Sequence, residues 1–84
     1  TDKNLQWLSW EECTLARNEI YARHGRIFKT AEIAAYFKSK DWYAGTIPSN
    51  VFDANEAGYL SDVEYANTRF ILDYEKAKFG GSYY

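Results

Sequence analysis

One cysteine and one histidine are the only thiol and imidazole in 84 residues, and that scarcity removes several functions at once. Cys13 has no second thiol for an internal disulfide or a zinc pair, and it fits a reducing or an oxidising compartment equally. It stands eleven positions from His24 on one predicted helix, a spacing that matches no metal-ligand pattern. No glycine-rich loop precedes a helix, since Gly80-Gly81 follows one, so a phosphate cradle is missing and no cofactor is expected. No apolar run is long enough to span a bilayer, and no signal peptide opens the chain. The start at Thr1-Asp2-Lys3 suggests a piece excised from a larger protein, so the missing signal says nothing about location. A net charge of −2 argues against nucleic-acid binding, which leans on clustered Lys and Arg.

Aromatic residues, by contrast, are abundant: 3 Trp, 8 Tyr and 5 Phe make up 19% of the chain. A domain this small buries only about 60–65% of the surface its unfolded form exposes, so large rings decide whether it folds. The supply suffices without a metal or disulfide staple and leaves some rings for the surface. The charges are uneven. Residues 13–40 carry six bases against Glu19 and Glu32, whereas residues 41–75 carry seven acids against Arg69. Either the two halves pack together and neutralise, or one patch meets a partner; the first is the simpler expectation.

Three segments read as helices. The first opens at the capping box Ser9-Trp10-Glu11-Glu12 and runs to His24, with Gly25 as its left-handed stop. The second follows Thr30 and covers residues 31–39, with Ile33, Tyr36 and Phe37 on one face. The third opens at a second capping box, Ser61-Asp62-Val63-Glu64, and continues to about Lys78. Its residues Val63, Ala66, Phe70, Tyr74 and Ala77 fall in one narrow sector and predict a core-facing stripe. The first helix has apolar residues on two sides, Cys13, Ala16 and Ile20 opposite Leu15 and Ala22, which predicts a central element. Arg17, Asn18 and His24 would then be partly buried and in need of partners. The intervening stretch is too long for a bare loop. Ile47 must be extended before Pro48, and Asp53-Ala54-Asn55-Glu56 suggests one helical turn before Gly58. These signals give an N-terminal extension (1–8), a helical domain (9–79) and a C-terminal tail (80–84), which is mobile unless its tyrosines dock. The fold class is all-α or α-dominated α+β, a single small domain of three main helices with a long structured loop between the second and third.

Almost every chemically able side chain lies between Arg17 and Gly25. His24 could serve as a general acid/base assisted by Glu19 or Tyr21, but Glu19 and His24 point about 140° apart around a helix. No Ser or Cys is placed beside His24 as a nucleophile. The alternative is structural: His24 closes the helix C-terminus, Arg17 pairs with a carboxylate of the acidic half, and Glu19 and Arg23 form an ion pair one turn apart. Trp7, Trp42 and Tyr43 are candidate binding aromatics, because exposed rings with polar tips suit sugars or peptides. Against that stands a role for Trp10 and Trp42 as core anchors.

The run Leu15-Ala16-Arg17-Asn18-Glu19-Ile20-Tyr21-Ala22-Arg23-His24-Gly25 resembles the signature of the YARHG domain family. The likeness continues through Phe28, Tyr36-Phe37, Trp42-Tyr43, Leu60, Glu64, Asn67 and Tyr74-Glu75, with a departure at Ala44-Gly45, where the family often carries Lys-Pro. The resemblance implies an extracellular bacterial module of the kind appended to lipoproteins and other envelope proteins. It implies signature positions at Arg17, Asn18, Glu19, Tyr21, Arg23, His24 and Gly25, without assigned roles. The expected function is a non-catalytic binding module for peptidoglycan, another glycan or a surface protein. The alternatives are an envelope-acting hydrolase using His24, and a purely structural spacer.

Overall fold

The computed structural model describes residues 5–84. Five helices follow one another among them: α1 (Trp10–Ala22), α2 (Ala31–Lys38), α3 (Ser49–Ala54), α4 (Glu56–Tyr59) and α5 (Asp62–Phe79). There is no strand among the described residues, only an isolated parallel bridge between Arg26 and Ile47, so the fold is all-α. The proposed extension over residues 1–8 lies partly outside the described residues; within it, Leu5 is buried and Trp7 is exposed.

Both capping boxes form. Ser9 accepts from the Glu12 amide while the Glu12 carboxylate accepts from the Ser9 amide, and Ser61 and Glu64 do the same for α5. Helix α1 stops at Ala22, earlier than the periodicity suggests, and Gly25 takes a φ of 88° three residues on. Helix α5 ends at Gly80 with a φ of 90°. The long connection is more ordered than one helical turn. Asp53 does not cap a helix, because α3 already begins at Ser49 behind Pro48, and Gly58 lies inside α4 instead of ending it.

The apolar core sits at one end of the molecule. Tyr21 and Ala22 from the last turn of α1 pack with Phe28, Ile33, Phe37, Phe52 and Leu60. Phe28 stacks on Phe37 at 5.1 Å, Phe52 stacks on Tyr59 at 5.0 Å, and Tyr21 meets Phe52 edge-on at 5.7 Å. In α2, Ile33 and Phe37 turn inward, but Tyr36 stays at the surface.

Helix α1 packs along α5 and, more lightly, against α2. The first turn of α1 meets the end of α5, where Trp10 stacks on Phe79 at 5.5 Å; the end of α1 meets the first turn of α5 through His24 and Glu64. The two helices therefore run antiparallel. Their seam is polar: Thr14 and Asn18 are buried on α1, and Thr68 and Glu75 on α5. This overturns the stripe expected of α5. Val63, Ala66, Phe70 and Ala77 are exposed and only Tyr74 is half-buried, because the helix is rotated to bring Glu75 to Arg17.

The C-terminal tail is docked. Trp10 Nε1 donates to the Gly81 carbonyl at 2.8 Å, the Tyr83 amide donates to Thr14 Oγ1 at 2.9 Å, and Tyr83 meets Trp10 edge-on. The Tyr84 hydroxyl donates to Glu11, and this bond pushes its pKa up to about 12.

Candidate functional site

The signature segment divides into three sets of contacts, each at a different level of α1. In its middle, Glu75 of α5 is completely buried. Arg17 Nε donates to Glu75 Oε1 at 2.6 Å, and Thr14 Oγ1 donates to Oε2 at 2.5 Å. Arg17 also reaches Ser82 of the tail at 3.2 Å. Asn18 Nδ2 donates to the Thr14 carbonyl at 2.8 Å, one turn back. A buried carboxylate needs this much company, since an unpaired one would lose its hydration for nothing.

At the end of the helix, Tyr21 and Ala22 belong to the apolar core, and Gly25 makes a close crossing. Its carbonyl accepts from the amides of Thr46 and Ile47, both at 2.9 Å. A Cβ on Gly25 would lie 2.8 Å from Thr46 Oγ1 and 3.1 Å from the Ala44 carbonyl oxygen. Glycine is thus required twice, for its left-handed φ and for the approach of residues 44–46. Beside it Arg26 grips Asp53 with two bonds of 3.0 and 2.9 Å, and its carbonyl accepts from the Tyr43 hydroxyl at 2.7 Å. Tyr43 is consequently a half-buried ring with its hydroxyl turned inward, and burial pushes that hydroxyl's pKa up.

His24 does not close the helix C-terminus. Its Nε2 lies 3.0 and 2.9 Å from the two carboxylate oxygens of Glu64. Glu64 is at the same time the cap of α5, accepting from the Ser61 amide at 2.9 Å. That amide first, and His24 second, hold the Glu64 carboxyl below the usual carboxylate range. An ionised carboxylate only accepts, so His24 carries a proton on Nε2.

The outward residues form a separate surface. Arg23 pairs with Glu19 at 3.3 Å and lays its guanidinium 3.9 Å over the Trp42 ring. Trp42 is 37% exposed with that face covered, and its other contacts are to Phe37 and Tyr43. Tyr36 also packs on Phe37 and is itself approached by the Lys40 ammonium at 4.3 Å. A groove of about 210 Å³ runs from Tyr36 along the outer side of α1 between Glu12, Leu15, Ala16 and Glu19. Trp7 is 82% exposed.

Glu12 is held below the usual range by the Ser9 amide, and the Cys13 thiol is fully buried, with burial and then Glu75 pushing its pKa up. Neither is a proton donor at neutral pH or a ready nucleophile. Among the described residues no group of three or more His, Cys, Asp or Glu is placed to hold a metal ion, and no helix is long and apolar enough to cross a membrane. Sequence reasoning passed over Thr14 and the Arg26–Asp53 clamp. Thr14 has a signal in hindsight, since it shares a helix face with Arg17 and Asn18; Arg26 has none beyond its place after Gly25.

Neither a curated protein nor a solved structure matches the chain. A family model does, over residues 1–75, and that stretch contains every contact described for the signature segment except those to the tail. By that match the chain belongs to the YARHG domain family.

Proposed function

We propose that this domain is a non-catalytic binding module of the bacterial cell envelope, and that it holds cell-wall glycan along the outer side of α1. The observation that carries the reading is the surface shared by Tyr36, Arg23 and Trp42, with its adjoining groove between Glu12 and Glu19. Aromatic edges supply apolar area to a sugar ring, and fixed carboxylates and a guanidinium supply hydrogen-bond partners to its hydroxyls and amides. The groove is shallow, which suits a strand of polymer better than a small enclosed substrate.

A hydrolase reading is weaker on physical grounds. Cleaving a glycosidic bond calls for a carboxyl kept protonated beside one kept ionised. Glu12 is biased to the ionised form, and the His24 and Glu64 side chains already join two helices.

Retention on purified cell-wall sacculi tests the proposal. The native chain is expected to sediment with sacculi, and Tyr36→Ala combined with Trp42→Ala to stay in the supernatant while keeping its helical circular dichroism. Trp7→Ala reports separately on the exposed ring outside the groove. Sedimentation no greater than that of an unrelated acidic protein of similar size would rule the glycan role out.

A further inference from the structure

Helix α5 buries polar side chains most deeply and leaves part of its apolar set outside. Thr68 and Glu75 are fully buried, Ile71, Leu72, Tyr74 and Phe79 are half-buried, and Val63, Ala66, Phe70 and Ala77 face water. Val63 is 70% exposed and Phe70 41%. A shallow groove of about 480 Å³ follows this face between Phe70, Asp73, Tyr74, Ala77 and Lys78. Leaving a Phe and a Val in water along one helix, while a glutamate fills the interior, marks a surface built for contact.

The order of residues along the stripe says with what. Phe70 stands at its middle; Val63 and Ala77 lie seven positions to either side, and Ala66 and Tyr74 four positions to either side. The ends carry opposite charge, with Asp62 in the first turn and Lys76 and Lys78 in the last. A stripe whose apolar spacing is the same in either direction, with end charges that exchange sign on reversal, can face its own copy in the antiparallel sense. We propose that the domain forms a two-fold dimer through α5, with Phe70 packing on Phe70 of a second copy at the axis. Val63 then meets Ala77 across the interface, Asp62 approaches Lys76, and the two helix dipoles oppose each other favourably.

One helix face makes a small interface, in the class below about 1,200 Å² that gives weak and reversible association. Sedimentation velocity from micromolar to millimolar concentration is therefore the first measurement, and a concentration-dependent shift from monomer to dimer is expected. Phe70→Glu sets two like charges at the axis and should hold the chain monomeric throughout, with its melting temperature kept because the ring is exposed. Asp62→Lys should weaken the dimer severalfold, and adding Lys76→Glu should restore it.

Disulfide trapping fixes the geometry, since Cys13 is buried and an introduced thiol is the accessible one. Phe70→Cys should cross-link to itself on mild oxidation. Val63→Cys should not, because antiparallel pairing holds the two copies of position 63 about 21 Å apart along the helix axis. It should cross-link when mixed with Ala77→Cys. A chain that stays monomeric at millimolar concentration would sink the proposal and leave the face to a different partner. A dimer indifferent to Phe70→Glu, or Val63→Cys linking to itself, would equally overturn it.

Discussion

His24 and Glu64 stand 40 positions apart and are bound at 3.0 and 2.9 Å, joining the end of α1 to the start of α5. Because the Glu64 pKa is lowered in the folded chain, its contribution to stability has a defined sign. It is fully present above the unfolded value of about 4.3, and it disappears as the pH falls through the lower folded value. Urea unfolding followed from pH 7 down to pH 3 should show the native chain losing stability below about pH 4.3, with Glu64→Gln losing visibly less. Parallel profiles for the two proteins would contradict this assignment. His24→Ala should cost about 1 kcal/mol at pH 7, since both side chains are partly solvated.

The Arg17–Glu75 pair predicts a larger effect. Arg17→Ala strands a fully buried carboxylate and should cost about 3–5 kcal/mol, read from the midpoint of chemical denaturation. Replacing both, Arg17→Met with Glu75→Leu, should recover most of that loss, because an apolar pair of similar volume fills the seam without a desolvated charge. A double variant no better than the single would show that the hydrogen bonds to Thr14 and Ser82 matter more than the ion pair.

At Gly25 two costs separate. Gly25→Ala incurs about 1–2 kcal/mol for a left-handed φ, and more for the clash with Thr46 Oγ1. Gly25→Ala with Thr46→Ala removes the side-chain clash and should recover only the second part. Thermal melts of the three chains give the two terms by difference.

The helices were legible where the signal is local. Ser9 with Glu12 and Ser61 with Glu64 mark their own helix starts, because a capping box involves four consecutive residues and no distant partner. The rotation of α5 was not legible. Val63, Phe70 and Tyr74 outnumber Thr68 and Glu75 as apolar signal, and periodicity assigns the inner face by hydropathy alone. What decides the rotation is Arg17, on another helix, and a pairing of that kind is written nowhere in the sequence of α5. His24 illustrates the same limit: it belongs to the last turn by position, yet its partner lies in a capping box beyond three other helices. The inward turn of the Tyr43 hydroxyl is illegible for the same reason, since nothing nearby in sequence announces the Arg26 carbonyl that receives it.

Cys13 should be inert in the folded chain. It is fully buried, and burial followed by the Glu75 charge pushes its thiol pKa up. A thiol-reactive chromophore should label it only at the rate of unfolding. The Arg17→Ala chain, being less stable, should react measurably faster at the same pH. Prompt stoichiometric labelling of the native protein would contradict the burial.

The antiparallel seam, closed at one end by Trp10 and the Gly81 carbonyl, also governs how the domain carries tension. Chain enters α1 and leaves α5 side by side, so a polypeptide joined at both points would bear the domain as a pendant, not as an in-line link. A pull on those two strands would meet the Trp10, Tyr83 and Thr14 contacts first and part them in succession, like a zip opened from its end. The Arg17–Glu75 contact would be the first internal tooth to resist.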